Sequence, residues 1–185
     1  MDTTAPRRVE LFVRSLSPGT GRSPTETQLN RLRQLADEGS VDLSVSVWGR
    51  EVGLSTTAAR TDAGEFVLDR VASFREWADA HDVCVEPFFE TREVESGLTG
   101  ESYTALVLPV VCLAEYRDDD LCHVAPYTTG SAVHTVADRV SALEDAADGS
   151  STNAGLGSTD GSSAADTRAE PPTLDHRTLT NTRSR

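Results

Sequence analysis

The first half of the chain alternates hydrophobic and polar residues in two places, the pattern of a strand with one buried face. These stretches span residues 9–14 and 41–47. Between them, leucines recur at helical spacing after a Ser-Pro start signal and before a glycine stop, so a helix is predicted there. The helix positions are Ser23, Pro24, Leu29, Leu32, Leu35 and Gly39.

The second half continues the same pattern. A polar loop at 49–64 precedes a helix at about 65–80, whose apolar face carries Val67, Val71, Phe74 and Ala78. A strand is then predicted to begin at 83–89, and the run 103–116 is apolar enough for a strand covered on both faces. After a turn, the remaining elements are a strand at 121–125 and a helix at 131–147. The predicted fold is therefore α/β with a mixed sheet, in the order β-α-β-α-β-β-β-α.

The composition changes at Gly149, where Gly, Ser, Thr, Ala and Asp begin to dominate. Such a segment buries too little apolar surface to offset the entropy of ordering the chain. We therefore expect a single α/β domain over residues 1–148 and a disordered tail over 149–185.

The charge of the chain is strongly acidic, with a net value of −13 and arginine as the only strongly basic residue type. Acids and arginines balance within 149–185, so the whole excess lies on 1–148. Such a surface repels itself in dilute salt and is screened in molar salt, which favours a protein from a salt-adapted cell. A GC-rich genome would also favour arginine over lysine, and that alternative stays open.

The location of the protein is predicted from what the sequence lacks. No stretch approaches the ~18 apolar residues of a membrane span, and the first residues carry no apolar signal segment, so we expect a cytoplasmic protein. Cys84, Cys112 and Cys122 lie in apolar runs. In a reducing compartment they are expected to be buried, reduced thiols.

An internal similarity appears when the chain is shifted by 42 residues. Arg50-Glu51-Val52 then falls on Arg92-Glu93-Val94, and Val41 falls on Val83. A duplication and a chance match of two helix–strand units both remain open. In either case we expect the two Arg-Glu pairs to follow equivalent strand ends.

The predicted element order resembles the thioredoxin-like superfamily over about residues 8–147, with its β-α-β, helix, β-hairpin, helix pattern and one extra strand. That resemblance implies a cis-proline entry to a strand, for which Pro87 and Pro109 are the candidates. Where the redox members of the superfamily carry Cys-x-x-Cys, this chain has Ser17-Pro18-Gly19-Thr20-Gly21. The resemblance therefore implies a version without redox activity.

Three segments resemble small conserved proteins of halophilic archaea that have no assigned activity, some of them labelled as helix-turn-helix domain-containing. The segments are Arg8 to Ser15, Val47-Trp48-Gly49-Arg50, and Phe88 to Glu93. The resemblance covers nearly all of 1–148 and implies no particular chemistry.

Metal-ligating residue types occur at His81, Cys84, Cys112, Cys122 and His123, and they suit zinc. Their spacing lacks the paired Cys-x-x-Cys or His-x-x-x-His arms of a zinc site, so no metal is predicted and these residues stay weak candidates.

An anion-binding site is a second candidate, formed by Arg50, Arg60 and Arg92 with Trp48 nearby. Arginine binds carboxylate or phosphate through two parallel hydrogen bonds. The competing and favoured interpretation is that each arginine pairs with a neighbouring glutamate on the surface.

Catalytic signatures are absent from the sequence, which has no Gly-x-Ser-x-Gly motif and no phosphate-binding loop lysine. We therefore expect a non-enzymatic domain without a cofactor that binds a protein partner or a small ligand. The partner is not identified by the sequence, self-association is one option, and no membrane role is expected. The alternative is a DNA-binding regulator of the helix-turn-helix type, against which the acidic balance argues.

Overall fold

The computed structural model describes residues 7–16, 23–95 and 102–153, with side chains up to Gly149. Within these ranges it forms three α-helices, nine strands and two short 3-10 turns. The helices are α1 (Pro24–Asp37), α2 (Asp62–Ala80) and α3 (Val136–Asn153). The strands are β1 (Arg7–Val13), β2 (Val41–Val47), β3 (Glu51–Gly53), β4 (Thr91–Glu95), β5 (Ser102–Val107), β6 (Val111–Arg117), β7 (Asp120–Ala125), β8 (Tyr127–Thr129) and β9 (Ala132–His134). The 3-10 turns are Thr57–Arg60 and Glu86–Phe88.

The central sheet has four strands in the order β2-β1-β6-β7. Strand β1 runs parallel to β2 and antiparallel to β6, and β6 runs antiparallel to β7. The prediction of an α/β fold with a mixed sheet is therefore confirmed.

Helices cover both faces of this sheet. Side chains alternate between the two faces along a strand, so β1 contributes to an apolar core on each side. Val9, Leu11 and Val13 face the core that α1 and α3 close. Phe12 faces the other core, which α2 closes with Val67, Val71, Phe74 and Trp77. The predicted apolar helix faces of α1 and α2 are the faces that are buried.

The apolar run 103–116 forms two strands of different sheets, so the prediction of one continuous strand is wrong. The break falls at Leu108-Pro109-Val110, where Pro109 has no N–H to continue a ladder. Strand β5 joins the small sheet β3-β5-β4, and β6 joins the central sheet.

The predicted strand at 83–89 is also corrected. It contains one isolated bridge, between Cys84 and Thr128, followed by the 3-10 turn. Pro87 lies in the first positions of that turn, where its fixed φ suits a helical residue. The one cis peptide bond among the described residues precedes Pro126, so neither Pro87 nor Pro109 is cis.

The last helix begins later than predicted, because β8 and β9 form a hairpin across Gly130, whose φ is +57°. Thr135 then starts α3 through reciprocal hydrogen bonds with Asp138: its amide donates to Oδ2 at 2.8 Å, and its Oγ1 accepts from the Asp138 amide at 3.3 Å. The sequence signature Thr-x-x-Asp is that of a capping box. The observed element order therefore has more strands than the predicted β-α-β-α-β-β-β-α.

The predicted boundary at residue 148 falls inside a helix, since α3 continues to Asn153. The rest of the predicted tail, 154–185, lies outside the described residues. None of the described helices has the length and apolar character needed to cross a membrane.

Candidate ligand-binding groove

An apolar groove lies where β2 ends and α2 begins, with a volume of about 290 Å³. The carboxyl ends of β1 and β2 meet at this edge of the sheet, since the two strands are parallel. The groove is lined by Val47, Trp48, Glu51, Val52, Ala58, Thr61, Ala63, Gly64, Phe66 and Val67. Its size is at the lower end of the range for small-ligand sites.

Trp48 forms the base of the groove and is 6% exposed. Its ring stacks on Phe12 with centroids 5.0 Å apart and meets the edge of Phe89 at 5.9 Å. Its Nε1 donates to the carbonyl of Pro109 at 3.2 Å. These contacts fix the ring, so Trp48 offers a rigid apolar surface to whatever enters.

Gly64 allows one wall of the groove to form. A Cβ at this position would lie 2.1 Å from the carbonyl oxygen of Ala58, so the 3-10 turn crosses the first turn of α2 at a distance that only glycine permits. Thr61 joins the two segments: its Oγ1 donates to the Ala58 carbonyl at 2.8 Å and accepts from the Gly64 amide at 3.1 Å.

The polar rim of the groove is organised around Glu51. Arg92 donates from Nη2 to Glu51 Oε2 at 2.7 Å, and the Tyr103 hydroxyl donates to Oε1 at 3.1 Å. Arg92 reaches across β5 at the small residue Ala105, with which it is in register. The Arg92 hydrogen bond is the main reason that the pKa of Glu51 lies below its ordinary value.

Two of the three arginines considered for an anion site act on the same carboxylate. Arg92 is occupied by Glu51, as the surface-pairing interpretation expects, and Arg50 adds to the positive potential at the same carboxylate. Arg60 is exposed at the end of the 3-10 turn, between two residues of the groove wall. Trp48 lines the groove itself.

The metal candidates are likewise not assembled. Among the described residues, no group of three His, Cys, Asp or Glu side chains is placed to hold a metal ion. Cys112 is buried in β6, and burial raises the pKa of its thiol. Cys84 and Cys122 are partly exposed, which corrects the expectation that all three cysteines are buried.

His81 and His123 instead belong to a ring cluster with Trp77, Tyr127 and His134. Trp77 stacks on His81 at 4.8 Å and meets His123 at 5.5 Å, while Tyr127 stacks on His134 at 4.5 Å. Burial lowers the pKa of His123 to about 4. The cluster therefore holds a neutral imidazole at physiological pH.

The expected equivalence of the two Arg-Glu-Val segments fails, because the stretch matched to β2 is not a strand. Arg50 precedes β3, whereas Arg92 lies inside β4. The two segments instead lie on either side of β5.

Sequence reasoning missed Val47 and Phe66 as groove residues. They are 56% and 41% exposed, high for large apolar side chains. A signal existed for Phe66, since it falls off the apolar face of its helix, where an aromatic residue is unusual.

A family model described as a helix-turn-helix domain matches the chain over residues 1–148. Comparison with curated proteins and with solved structures finds no match.

Proposed function

Since the chain belongs to the helix-turn-helix domain family, we propose that it is a non-enzymatic domain of that family that binds a protein partner or small ligand in the groove around Trp48. The observation that carries the proposal is the groove, with its rigid base and two exposed apolar side chains, Val47 and Phe66. Exposed apolar surface around a formed concavity is typical of a binding site.

Binding rather than catalysis is favoured by the lining residues. Glu51 is their one titratable group, and Arg92 and Tyr103 already hold its two oxygens. A carboxylate with a lowered pKa that is engaged by two donors is a poor general base. The groove best matches a partner that presents an apolar side chain and, next to it, a hydrogen-bond donor that reaches Glu51.

The element order supports the finer assignment to a thioredoxin-like domain, and the absence of Cys-x-x-Cys from the Ser17–Gly21 segment supports a version without redox activity. When the small sheet and the β8–β9 hairpin are set aside, the order β1-α1-β2-α2-β6-β7-α3 remains, with helices on both faces. This is the minimal pattern of that superfamily. The Ser17–Gly21 segment lies outside the described residues.

A salt-adapted, cytoplasmic setting is part of the same proposal. Its support is the net charge of −13 and the acidic exposed face of α2. That face carries Asp62, Glu65, Asp69, Glu76 and Asp79. Thermal stability should therefore rise with potassium chloride, as carboxylate repulsion is screened.

DNA binding is the second candidate, and the family match favours it. In the described residues the nearest approach to a helix–turn–helix is the 3-10 turn Thr57–Arg60, the linking Thr61 and α2. The acidic exposed face of α2 opposes contact with phosphates, so this candidate ranks below groove binding.

The deciding experiment compares two substitutions of the same kind. Val47→Asp charges the groove, while Val133→Asp charges a strand residue elsewhere that is equally exposed, at 56%. Wild-type and variant proteins are used to capture partners from native extract in molar potassium chloride. The same proteins are tested for a mobility shift of genomic DNA fragments.

We expect capture that Val47→Asp abolishes and Val133→Asp preserves, because the groove loses its apolar character in the first variant alone. Equal capture by all three proteins would contradict the groove assignment. A mobility shift in high salt that both variants retain would move DNA binding to first place.

A further inference from the structure

The two edges of the central sheet differ in how they are protected against pairing with another strand. The β7 edge has the devices that natural edges use: a register irregularity at Glu115/Tyr116 in its pairing with β6, and an acidic start after Asp118 and Asp119. The β2 edge has neither a register irregularity nor an acidic run. Its seven residues pair with β1 in unbroken register and include one charge, Asp42, and no proline.

The outward backbone groups of β2 can be identified from one hydrogen bond. The Trp48 amide, directly after β2, donates to the Val13 carbonyl at 3.1 Å and so points toward β1. Because backbone groups alternate along a strand, Val41, Leu43, Val45 and Val47 point their amides and carbonyls away from β1. No described strand pairs with that side of β2.

We propose that β2 pairs antiparallel with β2 of a second copy of this chain, with Ser44 on the two-fold axis. In this register Leu43 lies opposite Val45 of the second copy, and Val41 lies opposite Val47 of the second copy. All of these residues have outward backbone groups, so each forms a hydrogen-bonded pair. The pairing spans the full length of β2 and continues the central sheet through both copies.

A second copy fits because β2 is complementary to itself in this register. Its apolar side chains lie opposite apolar side chains, since the partly buried Leu43 and Val45 face each other across the axis. Its one charge, Asp42, meets Ser46 of the second copy. A shift by one residue would place apolar against polar positions, and an axis at Asp42 would oppose two carboxylates.

The test uses charges placed on the proposed axis, where each would meet its own copy. Ser44 is exposed and lies outside the groove lining, so Ser44→Asp and Ser44→Lys leave the groove unchanged. Ser44 is in register with Glu10, which Arg70 already pairs at 3.2 Å, so neither change removes an existing contact. Ser102→Asp, at an exposed serine of β5, is the matched control.

Sedimentation velocity in one fixed salt concentration gives the readout. We expect wild type and Ser102→Asp to reach twice the chain mass of 19.8 kDa. Each Ser44 variant alone should self-associate about five- to tenfold more weakly, from like charges at about 5 Å. An equimolar mixture of the two should restore the dimer, since opposite charges then meet on the axis.

Three results would overturn the proposal. A wild-type chain that stays monomeric as its concentration rises would exclude this self-pairing. That result would also be expected if β2 pairs with a strand of another protein, and it would overturn the proposal in that case too. A dimer that both Ser44 variants preserve would place the interface elsewhere. A mixture that stays monomeric while both variants melt like wild type would contradict the two-fold register. None of these outcomes depends on partner capture by the groove.

Discussion

Arg139 Nε of α3 donates to Oε2 of Glu115 across 2.9 Å, although that glutamate in β6 is 1% exposed. Arg139 Nη2 also donates to the same oxygen, and Arg7 Nη1 lies 3.7 Å from Oε1. A carboxylate removed from water needs such partners, because an unpaired charge in the interior is strongly unfavourable. The pair therefore ties α3 to the central sheet.

Removing Arg139 should destabilise the fold by about 3 kcal/mol, because Glu115 would keep only the longer contact with Arg7. The free energy of unfolding of Arg139→Ala, measured by urea denaturation, checks this. Arg139→Ala combined with Glu115→Gln should recover part of the loss, since the uncompensated charge is then absent.

The control is Arg31→Ala, which breaks another pair to the same helix. Arg31 Nε donates to Glu144 Oε1 at 2.8 Å, but the two side chains are 30% and 36% exposed. Solvent screening limits such a pair to roughly 0–1 kcal/mol. Equal losses in Arg139→Ala and Arg31→Ala would contradict the role assigned to burial.

Stability should fall as the pH drops from 6.5 toward 4, because of His123. Its folded-state pKa of about 4 lies below the ordinary value of 6.5, and burial is the main cause. In that pH window the histidine binds a proton in the unfolded chain but not in the folded chain. The free energy of unfolding therefore rises with pH. Melting temperatures between pH 4.5 and 6.5 measure the effect.

His123→Gln should flatten this pH dependence, since no imidazole remains to be protonated at this partly buried position. His81→Gln removes an exposed imidazole from the same ring cluster and serves as the control. A slope that His123→Gln leaves unchanged would show that another group causes the acid sensitivity.

Local patterns in the sequence were enough to predict much of the core. The period of Leu29, Leu32 and Leu35 identified the buried face of α1, and the alternation in 41–47 gave β2 with its bounds. Each of these signals arises within one element that faces one core. It can therefore be recognised in the sequence without knowing which elements pack against it.

The groove could not be predicted in the same way, because non-local contacts make it. Arg92 meets Glu51 only because β5 places β3 and β4 on either side of it. Gly64 lines the groove through its close approach to Ala58, which helical propensity does not report. The prediction of one continuous strand over 103–116 is wrong for a related reason, because this apolar run forms strands of two different sheets.

Gly64→Ala should destabilise the fold by about 1–3 kcal/mol, because the new methyl group would overlap the Ala58 carbonyl. Gly149→Ala is the matched control in α3, where a Cβ meets nothing within 4 Å. That change should be neutral or stabilising by up to about 1 kcal/mol, because alanine has the higher helix propensity. Thermal denaturation of both variants distinguishes overlap from helix propensity, and a stabilised Gly64→Ala would contradict the close approach.

The three cysteines should react with thiol reagents in an order set by their surroundings. Cys112 is fully buried, and burial raises the pKa of its thiol, so both access and thiolate formation oppose its reaction. Cys84 and Cys122 are partly exposed, and their sulfurs contact Glu86 Oε2 at 3.6 Å and the Asp120 carbonyl at 3.4 Å.

In a short pulse of N-ethylmaleimide at pH 7.5, mass spectrometry should therefore find label on Cys84 and Cys122 before Cys112. Cys112 should become labelled only as fast as the protein unfolds, so its rate should rise with urea while the other two rates change less. Arg139→Ala, if it destabilises the fold as expected, should accelerate labelling of Cys112 in parallel. Fast labelling of Cys112 in the stable native protein would contradict the buried position of its side chain in β6.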